Sequence, residues 1–88
     1  MKIASRALNA VALADLAQGR YGDAETALRR AIVLEPMERM NYRPLVRLLL
    51  GQGRSAEAAE VLRDQLWIQP HDRSIHQLLD DLERRGLR

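Results

Sequence analysis

The side chains able to do chemistry in this 88-residue chain are few and badly spaced for it. His71 and His76 are the only histidines, five residues apart, and cysteine is absent. Zinc demands three or four ligands at organised spacing, so the two imidazoles read as solvated surface groups. Ser5, Ser55 and Ser74 each stand where a helix is expected to begin, with no base close by in sequence. That pattern suits helix capping and not acyl transfer. The run Leu48 to Ala56 spells Gly-x-Gly-x-x-Ala with Asp72 beyond it, a mimic of a dinucleotide fingerprint. The fingerprint requires a strand before the glycines, whereas Gln18-Gly19-Arg20 makes the same turn earlier between two helical patterns. The run also lacks the Lys of a phosphate-binding loop. Glu57, Glu60, Asp80, Asp81 and Glu83 belong to solvated helix faces. Asp15 alone interrupts a packing position and is read as an ion-pair member at the core edge. No catalytic, cofactor-binding or metal-binding residue is expected, and the chain is read as a non-enzyme.

Composition narrows the classes further. Apolar residues make up 47% and charged residues 30%, which suits one folded domain, and Tyr21, Tyr42 and Trp67 are the only aromatic residues. The core must therefore be built from Leu, Ala, Val and Ile. The formal net charge is only +2, with both signs interspersed along the chain. Nucleic-acid binding through Arg43, Arg47, Arg84 and Arg85 is a minor reading, because the aromatic stacking platforms such proteins add are missing. No apolar run, Leu48-Leu49-Leu50 included, comes near the ~18 residues a membrane span needs. Lys2 followed by Ala7 to Ala14 faintly resembles a signal peptide. Arg6 and Asn9 weaken that reading, and the same residues are needed as a first helix. A cytoplasmic location is expected, with the periplasm left open.

The elements that position these residues repeat. Offsetting residues 5–38 against 39–72 by 34 positions pairs Leu16 with Leu50, Gly19 with Gly53, Ala24 with Ala58, Leu28 with Leu62 and Pro36 with Pro70, without a gap. A period of this length marks stacked supersecondary units. Within each unit, apolar residues at helical spacing run up to the glycine and resume after it. Gly19 and Gly53 supply the left-handed residue that closes a helix, Asp23 and Glu57 favour the positive end of the next one, and Pro36 and Pro70 terminate it. Ser55 is expected as an N-cap. The expected helices are 5–18, 22–35, 41–51, 56–69 and 73–85. Pro44 fits the third because, with Asn41 as N-cap, it falls in the first turn.

Helix pairs at this period resemble the tetratricopeptide-repeat (TPR) family, whose pattern sets large and small residues at fixed places and ends on Pro. Leu8, Val11, Ala12, Ala24, Leu28, Ala31 and Pro36 fit it in the first unit, and Tyr42, Leu45, Ala58, Leu62 and Pro70 in the second. Asp15, Gln65 and Val46 depart from it. The resemblance implies an all-α, right-handed α-solenoid of antiparallel helix pairs with five helices, in a single domain spanning 1–88: repeat 5–38, repeat 39–72 and a capping helix 73–85. That last helix places Ile75, Leu78, Leu79 and Leu82 on one face and polar residues elsewhere, as a solvating end requires. The first helix is apolar on almost every side, so it is expected either to follow further repeats or to pack on another copy.

The resemblance also implies a function: first helices line a concave groove that holds an extended or helical segment of another protein. By register the groove-facing residues are Arg6, Asn9 and Leu13, then Met40, Arg43 and Arg47, then Ser74, Gln77 and Asp81. Arg43 and Arg47, four residues apart, and Arg6 beside them imply an acidic, partly apolar partner segment. Leu13, Pro44, Ser74 and Leu78 stand where the family's carboxylate-reading members carry polar residues, so that specificity does not carry over. Val33 and Trp67 occupy equivalent places and should turn outward, with Trp67 either packed under the last helix or part of an exposed patch for self-association or a second partner. The alternative function is a homo-oligomeric assembly module joined through the N-terminal helix.

Overall fold

A computed structural model describes residues 2–85, with side chains from Ala4 onward. Among the described residues there are five α-helices and no strand. They are α1 (Lys2–Ala17), α2 (Tyr21–Leu34), α3 (Tyr42–Gly51), α4 (Ser55–Ile68) and α5 (Arg73–Arg84), with a 3-10 turn, Arg39–Asn41, leading into α3. Gly86 lies outside the described residues.

The two glycine turns have one geometry. Gly19 has φ 76° and Gly53 φ 72°. Around the first, the Arg20 N–H reaches the Asp15 carbonyl at 2.8 Å and the Gly19 N–H the Leu16 carbonyl at 3.2 Å. Around the second, the Arg54 N–H reaches the Leu49 carbonyl at 2.8 Å and the Gly53 N–H the Leu50 carbonyl at 3.1 Å. This is the paired closure that satisfies orphan carbonyls at a helix end, and it needs a residue tolerant of positive φ. So short a turn reverses the chain, and α1 lies back against α2 as α3 does against α4. Pro36 and Pro70 end α2 and α4 by holding Glu35 (φ −139°) and Gln69 (φ −129°) out of the helical region. Pro44 is the third residue of α3, where no intrahelical N–H is lost.

Packing follows the size pattern. Ala12, Ala24, Ala31, Ala58 and Ala59 are completely buried, and Leu28, Leu45 and Leu49 fill the space that such small residues leave between close helices. Each helix packs mainly on the next one in sequence, α1 on α2 through α4 on α5, giving a flattened molecule of 35 × 28 × 15 Å. α5 lays Ile75, Leu79 and Leu82 on this stack.

Polar residues contribute differently from the sequence reading. Ser5 lies inside α1, because that helix begins at Lys2 instead of residue 5, and it is 1% exposed. Asn41 stands at the N-cap of α3, but its side chain makes no capping bond. It turns inward, where its Nδ2 donates to the Ser5 hydroxyl at 2.9 Å and its Oδ1 accepts from Asn9 Nδ2 at 3.0 Å. The buried pairing outcompetes the cap because it satisfies three polar groups at once in a dry contact between the two units. Ser55 does not cap α4: Arg54 occupies that place, with no side-chain cap bond. Among the described residues the one side-chain N-cap is Asp72, whose Oδ1 accepts from Ser74 N at 2.9 Å and Ile75 N at 3.4 Å, so Ser74 is the capped residue and not the cap. Asp15 is half-buried and forms no ion pair among the described residues.

Candidate functional site

A cleft of about 810 Å³ is lined by α1, the 3-10 turn, α3 and α5, with residues of α2 and α4. Leu13 enters from α1, Met40 from the 3-10 turn, Arg43 and Arg47 from α3, and Ser74 and Leu78 from α5. The volume falls in the range of pockets that enclose a ligand.

Its character is apolar with a basic centre. Leu13 is 49% exposed, Met40 63% and Leu78 36%, so the cleft shows water an amount of hydrocarbon that a solvated face would not. Arg43 and Arg47 rise one turn apart on α3, both exposed, and neither forms an ion pair among the described residues. Arg39 also lines the cleft, but its charge is met by Asp72 at 3.2 Å, and that carboxylate is occupied as the cap of α5. The uncompensated charge is therefore that of Arg43 and Arg47.

The structure divides the residues expected in the groove. Leu13, Met40, Arg43, Arg47 and Ser74 converge on the cleft. Asn9 touches it too, yet is only 8% exposed, with its amide donating to the Met40 carbonyl at 3.1 Å as well as to Asn41. Arg6, Gln77 and Asp81 are exposed but outside the cleft lining. The lining also holds Leu78, expected there from the resemblance, and Tyr21 and Gln65, which the register of first helices did not supply. Tyr21 begins α2 and Gln65 is a buried residue of α4, so both reach the cleft from second helices.

Outside the cleft, Arg54 joins Glu25 of α2 to the start of α4 through two contacts of 2.6 and 3.0 Å and also bonds Glu57. The Arg54 side chain lowers the pKa of both carboxyls below the usual range, while partial burial of Glu25 works the other way. Their charge and hydrogen bonds raise that of Arg54 further. Tyr42, buried with its hydroxyl donating to the Pro36 carbonyl, has its pKa raised by burial and then by Asp64. These groups brace the turns. Away from the cleft lining Val33 is 78% and Trp67 87% exposed, which overturns packing of Trp67 under α5 and leaves it open to solvent. His71 and His76 are exposed, with His76 Nε2 2.8 Å from the Pro70 carbonyl. No described helix is long and apolar enough to cross a membrane. Compared with known proteins, the chain matches no family model and no curated sequence.

Proposed function

We propose that this chain is a non-enzymatic protein-interaction module of the TPR type, a right-handed solenoid of two antiparallel helix pairs and a closing helix, which holds a segment of a partner protein in the α1–α3–α5 cleft. One observation carries the reading: exposed Leu13, Met40 and Leu78 and the unpaired Arg43 and Arg47 come from separate elements and converge on one concavity. An exposed apolar concavity of this size is the commonest form of a recognition site. The 34-residue repeat, the buried alanines at matched places and the two equal glycine turns support the family assignment. The test is selection of binding segments from a random displayed-peptide library, followed by amide chemical-shift mapping on the labelled protein. Shifts clustered at Leu13, Met40, Arg43, Arg47 and Leu78 are expected; shifts confined to the opposite face refute the reading.

Val11 at 53% and Trp67 at 87% exposed favour one second reading, a homo-oligomeric assembly module. Light scattering over a hundredfold concentration range separates the two. Growth in mass that is lost on Val11→Glu or Trp67→Ser favours assembly, and a constant monomer mass removes it.

A further inference from the structure

The cleft can be read for what kind of backbone it accepts, an inference that rests on the partner-binding reading above. An extended segment presents an N–H and a C=O at every residue, and its affinity depends on partners for them. Several of the neutral polar groups that line this cleft are committed elsewhere. Asn9 donates both amide hydrogens within the protein, to Met40 and Asn41. Gln65 donates to Gln69, Gln52 accepts from Arg54, and the Asp72 carboxylate is shared between Arg39 and the first turn of α5. The walls are helices whose own backbone groups bond internally. Apart from the Tyr21 and Ser74 hydroxyls and the Gln52 amide hydrogens, what the cleft offers is hydrocarbon and two guanidinium groups.

We propose that its occupant is an acidic amphipathic α-helix. A helix satisfies its own backbone hydrogen bonds and presents only side chains, which is what these walls can recognise. Arg43 and Arg47 stand one turn apart, so carboxylates at i and i+4 on an occupant helix face both, and its apolar stripe covers Leu13, Met40 and Leu78. Arginine suits carboxylates because its planar fork donates two parallel bonds. Charge decides the sign of the partner, and side-chain donors and acceptors too few to match every residue of an extended backbone favour its helical conformation.

The experiment uses three synthetic peptides of about four turns and one composition, Leu on one face and Glu at i, i+4. One is locked helical by a side-chain bridge, one carries a central Pro, and one is scrambled so that both stripes are lost. Fluorescence anisotropy against the 88-residue protein is measured at low and high salt. The locked helix is expected to bind at least tenfold more tightly than the Pro and scrambled forms. Its affinity should fall about tenfold on Arg43→Glu/Arg47→Glu, and the salt dependence should shrink in that variant. Equal binding of the Pro form, or an affinity indifferent to the charge reversal, overturns the proposal, as does failure of all three peptides. Amide-shift mapping separates the two levels of the argument: a Pro form that binds in the cleft removes the helical occupant while the cleft remains a binding site, whereas a locked helix that binds on the Trp67 face removes both. Circular dichroism of the charge-reversed protein should match that of the parent, since both positions are exposed.

Discussion

Replacing Asn41 by Ala tests the contact that holds the second helix pair to the first. Its side chain, in a residue 1% exposed, bridges Ser5 at 2.9 Å and Asn9 at 3.0 Å across more than 30 residues of sequence. Two net hydrogen bonds at about 1 kcal/mol each are lost, and the truncated volume leaves a hollow that adds about 1 kcal/mol more. Asn9 keeps its bond to the Met40 carbonyl, which limits the damage. The expected loss is about 2–4 kcal/mol, out of roughly 4–13 kcal/mol for a chain of this length. With a urea slope of about 1 kcal/mol/M, the unfolding midpoint should fall by about 2 M or more. Ser5→Ala leaves the Asn41 Nδ2 short of an acceptor in a dry place, so it should cost about 1–3 kcal/mol by itself. The double variant should cost less than the sum of the two by about 1 kcal/mol, because the stranded donor is then gone. Urea titrations of the four proteins provide the cycle. A loss below about 0.5 kcal/mol for Asn41→Ala, or strict additivity, refutes the reasoning.

Ala24→Leu and Ala58→Leu should each destabilise by roughly 1–3 kcal/mol through overpacking at completely buried positions, seen as lower denaturation midpoints. Gly53→Ala meets no neighbouring atom within 4 Å, so its cost should come from the positive φ alone, about 1–2 kcal/mol by thermal melting, and Gly22→Ala, free of that constraint, should cost nothing. Asp72→Ala removes the cap of α5 and its pairing with Arg39, and hydrogen exchange should show α5 opening before the other helices, with about 0.5–2 kcal/mol lost. The Arg54 side chain lowers the pKa of Glu25, so the folded value lies below the unfolded one; the stabilisation is present above pH 4.5 and is lost as pH falls through the folded value. Glu25→Gln should flatten the dependence of the melting temperature on pH below 4.5, and an unchanged slope contradicts that assignment.

Much of the fold is legible in the chain because its signals are local. Gly19 and Gly53 fix their turns through a backbone conformation other residues resist, and Pro36 and Pro70 stop their helices through the residue before them. Apolar spacing places all five helices to within a few residues. The outward orientation of Val33 and Trp67 follows from the same periodicity, because flanking residues turned to the core leave them no other direction. The candidate cleft is legible only in part. Register assigns Leu13, Met40, Arg43 and Arg47 to one face, and the structure gathers them there.

What escaped the sequence depends on distance along the chain. Ser5, Asn9 and Asn41 read singly as a helix start, a groove residue and a cap, and nothing within ten residues of any of them signals otherwise. Only when α1 meets the start of α3 do three polar side chains find one another, and then pairing in a dry contact outweighs any local capping bond. The same holds for the charges. Arg39 and Asp72, 33 positions apart, neutralise each other, which leaves the basic character of the cleft to Arg43 and Arg47. Periodicity by itself determined which residues form helices and which face each one buries, because both are set by neighbours three or four positions away. The tertiary structure alone decided which polar groups pair within the protein, because a hydrogen bond is settled by whichever group packing brings within about 3 Å.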